Sequence, residues 1–346
     1  MGLACAAGCG ARSQLAAPGS LTGGGGTGGV VACTTGTVTL SRAQPAVLFV
    51  LDHSRSMLGN LGQNNGQASR WEILTDALSA TLPSVDDAME IGALLYPTGS
   101  SDQDELTCTV PGAPDLMPAT GHVGPLLDLM NAAESGSGTP TADAISVAAA
   151  ALAGVHAATS ARALVLATDG GPNCNEDLDP DECTCVTANQ GCNQSKMCLD
   201  DTRTVERISA AHAQGIPTYV IGIQDEGDTT LSGVLDAMAD AGGRPKAGGS
   251  QHYYAATSGA ELTTALAAIR DQVGLCTYLI SSVPDEGGTI TMSLGGTMIT
   301  FDPSGMDGWM WGNKDNGEVL LLGSACAAAT ADANVTPTAE VKCAGP

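Results

Sequence analysis

Short, uninterrupted runs of apolar residues alternate with helical patterns through the middle of the chain. The runs cover 46–51, 91–96, 164–167 and 219–223. Runs without polar alternation are typical of strands buried on both faces of a parallel sheet. Helical patterns follow at 71–82, 141–153, 202–213, 230–241 and 262–273, and 252–255 is a candidate edge strand. We therefore predict an α/β fold with a doubly wound, mostly parallel open sheet flanked by helices.

The pattern changes after Cys276, where shorter β-like segments follow at 278–282, 289–294, 297–301 and 318–322. The pair Gly295-Gly296 suits a tight hairpin. Trp309 and Trp311 fall on one side of an extended segment, and we expect them in a core more often than on a ligand platform. We predict three regions: a start and tether at 1–32, the α/β domain at 33–276 with an insertion at 173–199, and a small C-terminal β appendage at 277–346.

The first residues resemble part of an export signal. Cys9 follows Ala6-Ala7-Gly8, as the lipidated cysteine does in bacterial lipoproteins, and a Gly-rich stretch suited to a flexible tether comes next. A charged n-region and a full apolar segment are missing. The hypotheses are a truncated lipoprotein signal, with Cys9 as the lipidation candidate, or a chance match on an ordinary disordered terminus. The sequence contains no run of 18 apolar residues, so it predicts no transmembrane span.

The charge and the cysteine content limit which partners and which cellular compartment fit the chain. The chain carries 37 acidic and 13 basic residues, a formal net charge of -24. Such a surface repels phosphate backbones, which argues against nucleic acid and anionic membranes as partners. The negative field attracts cations such as Mg²⁺ and Ca²⁺. The alternative interpretation is that the acidic surface only keeps the protein soluble. Twelve cysteines favour an oxidising compartment.

Oxygen-bearing side chains follow the predicted strands at three places. Asp52, Ser54 and Ser56 come directly after the first strand, and Asp169 follows the strand at 164–167. Thr139 precedes the Ala-rich helix. The carboxyl ends of parallel strands meet at one rim of a doubly wound sheet, so these side chains are expected to converge. A set of hard oxygens selects Mg²⁺, Mn²⁺ or Ca²⁺.

These three segments, in this order, resemble the metal-ion-dependent adhesion site of von Willebrand factor type A domains, over about residues 45 to 275, as found in bacterial secreted proteins and lipoproteins. The resemblance implies that Ser54, Ser56 and Thr139 bind the metal directly and that Asp52 and Asp169 act mainly through water. It also implies an open metal position that accepts a carboxylate from a protein or glycan partner. Arg55 departs from the pattern, because many family members have Gly there.

The resemblance therefore predicts a non-enzymatic, metal-dependent adhesion module, exported to the cell envelope as an outer-membrane or periplasmic lipoprotein, or secreted. One alternative is a hydrolase with Asp52 or Ser54 as nucleophile, which lacks a nucleophile elbow and a phosphate loop in the sequence. Another is a structural surface protein in which the metal site is idle. His53, between the candidate ligands, is not expected to take part.

A cysteine-rich insertion follows Asp169 and is expected at the metal rim, with Cys174, Cys183, Cys185, Cys192 and Cys198 among five acidic residues. The favoured interpretation of the insertion is a disulfide-stapled loop. The alternatives are a metal cluster held by thiolates and a calcium-binding loop, but the residue spacing matches neither a common zinc site nor an EF-hand. Because the insertion holds an odd number of cysteines, five, one of them must pair outside the insertion, with Cys108 or Cys33. We further expect Cys326 to pair with Cys343, and Cys33 with Cys276 as a possible ring closure.

Overall fold

The computed structural model describes residues 31–61, 68–99, 107–155, 161–186, 192–225, 231–246, 248–332 and 335–344. Cys9 and the Gly-rich tether lie outside the described residues, so lipidation and tethering stay predictions. Within the described ranges, no helix has both the length and the apolar character that a membrane crossing requires.

A six-stranded sheet forms the centre of the molecule. Its strands, in spatial order, are β5 (Leu116–Ala119), β4 (Glu90–Tyr96), β3 (Ala46–Asp52), β6 (Arg162–Thr168), β7 (Thr218–Ile223) and β8 (Tyr254–Ala256). All neighbours pair in parallel except β5, which runs antiparallel to β4. The four apolar runs and the edge strand all lie in this sheet, so the predicted mostly parallel α/β fold is confirmed.

Helices cover both faces of this sheet because successive strand residues point to opposite sides. Phe49 of β3 packs into one core and Leu48 into the other. The first core is completed by residues of α1 (Arg70–Thr81), α2 (Val123–Ala132) and α6 (Gly259–Arg270). The second is completed by residues of α3 (Thr141–Ala153), α4 (Asp201–Ala213) and α5 (Ser232–Ala241). Two buried faces explain why the strands read as continuous apolar runs.

A second unit contains two four-stranded antiparallel sheets around a third core. The first sheet has the order β1 (Gly36–Thr39), β14 (Pro337–Lys342), β10 (Thr289–Leu294) and β11 (Thr297–Ile299). The second has the order β12 (Gly308–Asn313), β13 (Glu318–Leu322), β9 (Thr277–Leu279) and β2 (Ser41–Arg42). Helix α7 (Gly323–Ala331) follows β13.

The β unit draws on both ends of the described chain. Strands β1 and β2 lie within the range assigned above to the α/β domain, yet they pair with β14 and β9. Both are short and largely exposed, so they carry no apolar run that would mark them as strands. The hairpin at Gly295-Gly296 is confirmed, because Leu294 pairs with Thr297 across it. Trp309 is buried against Trp311, with ring centroids 5.4 Å apart, which confirms its place in the core.

Five disulfides join the cysteines of the described residues: Cys33–Cys343, Cys108–Cys174, Cys183–Cys198, Cys185–Cys192 and Cys276–Cys326. A stapled insertion with one link to Cys108 is confirmed. Since all five cysteines of the insertion are oxidised, they offer no thiolates to a metal. The bonds support an oxidising compartment for the folded chain.

Two predicted pairings are wrong: Cys326 does not pair with Cys343, and Cys33 does not pair with Cys276. The physical reason is the antiparallel pairing of β1 with β14, which brings Cys33, just before β1, next to Cys343, just after β14. Cys276 is then left to bond with Cys326 in α7.

Candidate metal site

The three predicted segments meet at the carboxyl rim of the central sheet. Asp52 is the last residue of β3, and Ser54 and Ser56 lie in and beside the short 3-10 turn that follows it. Asp169 directly follows β6, the neighbouring strand. Thr139 lies two residues before α3 begins. Parallel pairing of β3 with β6 therefore sets the two carboxylates side by side.

Hydrogen bonds connect four of the five predicted residues directly. Ser56 Oγ donates to Asp169 Oδ1 at 2.7 Å, and the Ser54 and Ser56 hydroxyl oxygens are 3.0 Å apart. The Ser54 backbone N–H donates to Asp52 Oδ1 at 2.9 Å. The other oxygen of Asp52, Oδ2, accepts from the Thr168 hydroxyl at 2.6 Å.

The direction of these bonds leaves acceptor capacity at the serines. A hydroxyl has one proton and two lone pairs. Ser56 gives its proton to Asp169, so the proton between the two serines belongs to Ser54. Ser54 Oγ therefore acts as a donor here and accepts from neither Ser56 nor Asp169. An oxygen of this kind is a suitable ligand for a hard cation.

Thr139 is tied to the rim through backbone contacts. Ser54 forms a parallel bridge with Gly136, and the Gly136 N–H donates to His53 O at 3.2 Å. Thr139, three residues further on, is buried, and its N–H donates to Asn173 Oδ1 at 2.7 Å. The structure thus brings the Thr139 segment to the rim, next to the loop that follows β3.

Burial strongly affects the two acids. Asp52 is inaccessible to solvent, and its desolvation raises the pKa of the carboxyl group. Desolvation, followed by the charge of Asp52, raises the pKa of Asp169 to about 7. Two neighbouring buried carboxylates repel each other, and a cation between them would favour the charged form of both.

Arg70, the first residue of α1, is a rim residue that the sequence analysis missed. Its Nη1 donates to Ser56 O at 3.1 Å and lies 3.5 Å from Asp169 Oδ2. Its Nη2 bonds Asp225 Oδ2 at 3.1 Å. The residue suspected from the sequence, Arg55, has an exposed side chain. Arg70, 15 residues beyond Arg55, is therefore a cation at the candidate ligands that no motif marks.

His53 has a structural environment. Its ring stacks on Trp71 with centroids 4.0 Å apart, and the residue is 2% exposed. Burial lowers the pKa of His53 to about 4, so the ring is neutral at physiological pH. A stacked ring in the core is consistent with the expectation that His53 does not bind the metal.

The donor set suits a divalent cation with oxygen ligands. The rim offers two carboxylates with raised pKa values and two serine hydroxyls, and these five residues include no sulfur or imidazole nitrogen. Mg²⁺, Mn²⁺ and Ca²⁺ prefer such ligands. Arg70 neutralises Asp169 only in part, because the two groups are 3.5 Å apart and Arg70 also bonds Asp225.

Comparison with known proteins finds likenesses among solved structures alone. No protein-family model matches the chain, and no curated protein matches it. Among solved structures, the chain is similar to the PilB minor pilin from Streptococcus sanguinis, with 18% identity, a TM-score of 0.46 and coverage of 66% of this chain and 61% of that one.

Two further structures are similar at the same level. The pilus adhesin SpaC from Lactobacillus rhamnosus GG has 13% identity, a TM-score of 0.47 and coverage of 88% of this chain and 39% of that one. The vWF domain of the type V pili tip protein Mfa5 from Porphyromonas gingivalis has 13% identity, a TM-score of 0.43 and coverage of 67% and 94%. All three TM-scores are below 0.5, and the likeness is one of fold alone.

Proposed function

We propose that the protein is a non-enzymatic adhesion module of the bacterial cell envelope that uses a divalent cation, Mg²⁺ first, to bind an acidic group on a partner. Asp52, Ser54, Ser56, Thr139 and Asp169 hold the cation. The observation that carries the proposal is the hydrogen-bonded group of Asp52, Ser54, Ser56 and Asp169 at one rim.

The charge of the site supports a role in binding anions through the metal. Only two of the five proposed ligands are carboxylates, and Arg70 already neutralises part of Asp169. A dication held mainly by hydroxyls and water keeps net positive charge, which a partner carboxylate neutralises. The cation supplies this attraction, and the chain's own residues orient it toward the solvent-facing side of the rim.

The surroundings of the rim suit contact with a macromolecule. The disulfide-stapled insertion begins at Cys174, five residues after Asp169, and its acidic residues Glu176, Asp177, Asp179 and Asp181 are exposed. Loops at this edge of an α/β sheet determine what is bound. We propose an exported location, with a lipid anchor on Cys9 as the finer hypothesis.

Metal binding is tested by calorimetric titration of Mn²⁺ and Mg²⁺ into chelator-stripped protein. We expect one binding event for the wild type and a loss of affinity of at least 30-fold for Asp169→Ala. Asp128→Asn is the control, because Asp128 is an exposed acid on helix α2. Equal isotherms for wild type and Asp169→Ala, or no heat with any of Mg²⁺, Mn²⁺ and Ca²⁺, contradict the proposed cation site.

Carboxylate binding is tested by water proton relaxation of the Mn²⁺ complex. A Glu-containing tripeptide that enters the metal coordination displaces water, so the relaxation enhancement falls. The matched Gln tripeptide has no charge and is expected to leave the enhancement unchanged. If the Glu and Gln peptides behave alike while Mn²⁺ still binds, the metal does not accept a carboxylate and the idle-metal alternative is favoured.

A further inference from the structure

Thr139 is clamped through its backbone by Asn173. The Thr139 N–H donates to Asn173 Oδ1 at 2.7 Å, and the Asn173 N–H donates to Thr139 O at 2.9 Å. Thr139 is 6% exposed and Asn173 9% exposed. Water therefore competes little for these two bonds. They fix the part of the backbone from which the Thr139 hydroxyl projects.

A second segment holds the same loop from the other side. The Gly138 N–H donates to Thr107 O at 3.1 Å, and the Thr107 N–H donates to Ser137 Oγ at 2.9 Å. The next residue, Cys108, is disulfide-bonded to Cys174, which directly follows Asn173. The disulfide therefore joins the two segments that grip the loop at 137–139.

Asn173 is itself anchored on its far side. The Cys174 N–H donates to Lys196 O at 3.0 Å, and the Asp200 N–H donates to Pro172 O at 2.8 Å. These contacts keep the backbone on both sides of Asn173 in place, so its side chain presents the acceptor at one position.

We propose that Asn173 is a positioning residue for the candidate metal ligand Thr139, and that the Cys108–Cys174 disulfide keeps this clamp closed. The inference rests on the proposed cation site and names residues outside the five ligands. A clamped hydroxyl does not have to be ordered when the cation arrives, which lowers the entropic cost of binding. Opening the clamp therefore weakens cation binding while the fold persists.

The direct test is Asn173→Ala, measured in two ways. Amide hydrogen exchange of the metal-free protein reports the Thr139 N–H, and its protection is expected to fall at least tenfold. Calorimetry with Mn²⁺ is expected to show a dissociation constant at least fivefold higher than that of the wild type. Asn173→Asp keeps an oxygen acceptor at this position and is expected to retain the Thr139 protection.

Asn175→Ala is the matched control, because Asn175 is also buried and bonds Asp200 instead of Thr139. We expect it to lower the melting temperature while Thr139 protection and Mn²⁺ affinity stay within twofold of the wild type. The proposal is overturned if Asn173→Ala leaves Thr139 protected, or if both alanine variants weaken Mn²⁺ binding equally.

The disulfide is tested with the double variant Cys108→Ser/Cys174→Ser against Cys33→Ser/Cys343→Ser, whose bond lies in the β unit. Only the first pair is expected to raise the Mn²⁺ dissociation constant and to expose the Thr139 amide. Equal effects of both pairs contradict the proposed role of the disulfide. If the wild type binds no cation, the proposed function fails, yet Thr139 protection in metal-free Asn173→Ala still decides whether the clamp exists.

Discussion

At the scale of single residues, the balance of charge at the rim sets the affinity for a cation. Arg70 Nη1 lies 3.5 Å from Asp169 Oδ2, so its positive charge repels an incoming dication. We expect Arg70→Gln to tighten Mn²⁺ binding by about three- to tenfold, or roughly 1 kcal/mol. Calorimetric titration of the chelator-stripped variant measures this change.

Arg55→Gln is the natural comparison, since Arg55 lies between two proposed ligands but has an exposed side chain. Water and salt screen an exposed charge, so its removal is expected to have the smaller effect. A looser complex in Arg70→Gln would mean that Arg70 supports Asp169 more than it repels the cation.

The buried imidazole of His53 makes stability depend on pH. The pKa of His53 is lowered from 6.5 to about 4 by burial, so the unfolded chain binds more protons than the folded one between these values. Stability is then fully present above pH 6.5 and is lost as pH falls toward 4. The full effect is on the order of 3 kcal/mol, from 1.36 kcal/mol per pKa unit.

Urea unfolding of metal-free protein between pH 4 and 7.5 measures this dependence. His53→Phe keeps a ring against Trp71 and removes the titrating group. We expect the difference in unfolding free energy between wild type and His53→Phe to change steadily over this range in the direction that disfavours the wild type at low pH. A constant difference would mean that His53 does not titrate as burial predicts.

At the scale of elements, the sequence predicts those whose pattern is carried by their own residues. The inner strands of the parallel sheet carry uninterrupted apolar runs because both faces are buried, and this pattern predicts β3, β4, β6 and β7. Strand β5 contains Pro118, which suggests a break, but an edge strand tolerates proline. Helix α2 was missed for the same reason, because Pro125 lies in its first turn, where no N–H is needed.

The candidate metal site could also be predicted from the sequence wherever its residues form a local pattern. The segments after β3 and β6 and before α3 carry their oxygens in a local pattern, and strand pairing brings them together. Arg70 and Asn173 carry no such pattern. They matter because folding brings them against Asp169 and Thr139, and a contact of that kind is not encoded in the spacing along the chain.

The two ends of the β unit are joined by one disulfide that sequence spacing did not reveal. Cys33–Cys343 spans 310 residues and lies beside the pairing of β1 with β14. We expect Cys33→Ser/Cys343→Ser to lose about 2–5 kcal/mol of stability. Thermal and denaturant unfolding measure the loss, and a melting curve unchanged from the wild type would show that the strand pairing alone holds the ends.

At the scale of the whole molecule, the chain passes from the β unit through the α/β unit and back. A buried ion pair joins the two: Arg244 follows α5 of the α/β unit, and Glu318 begins β13 of the β unit. Arg244 Nη2 and Glu318 Oε1 are 3.5 Å apart, with side chains 6% and 4% exposed. Burial raises the pKa of Glu318, while Arg244 and Arg162 oppose that rise.

The Arg244–Glu318 ion pair leads to a prediction about stability. Glu318→Ala leaves two buried guanidinium groups, Arg244 and Arg162, without their carboxylate, and we expect a loss of about 3 kcal/mol in unfolding free energy. Glu340→Ala is the control, because Glu340 pairs with Lys342 at a similar distance of 3.4 Å but both side chains are exposed. It is expected to lower the unfolding free energy by less than about 0.5 kcal/mol. Because the α/β unit keeps its own two cores, Mn²⁺ affinity is expected to survive Glu318→Ala at temperatures below unfolding. Equal losses in the two variants would mean that the buried pair does not hold the units together.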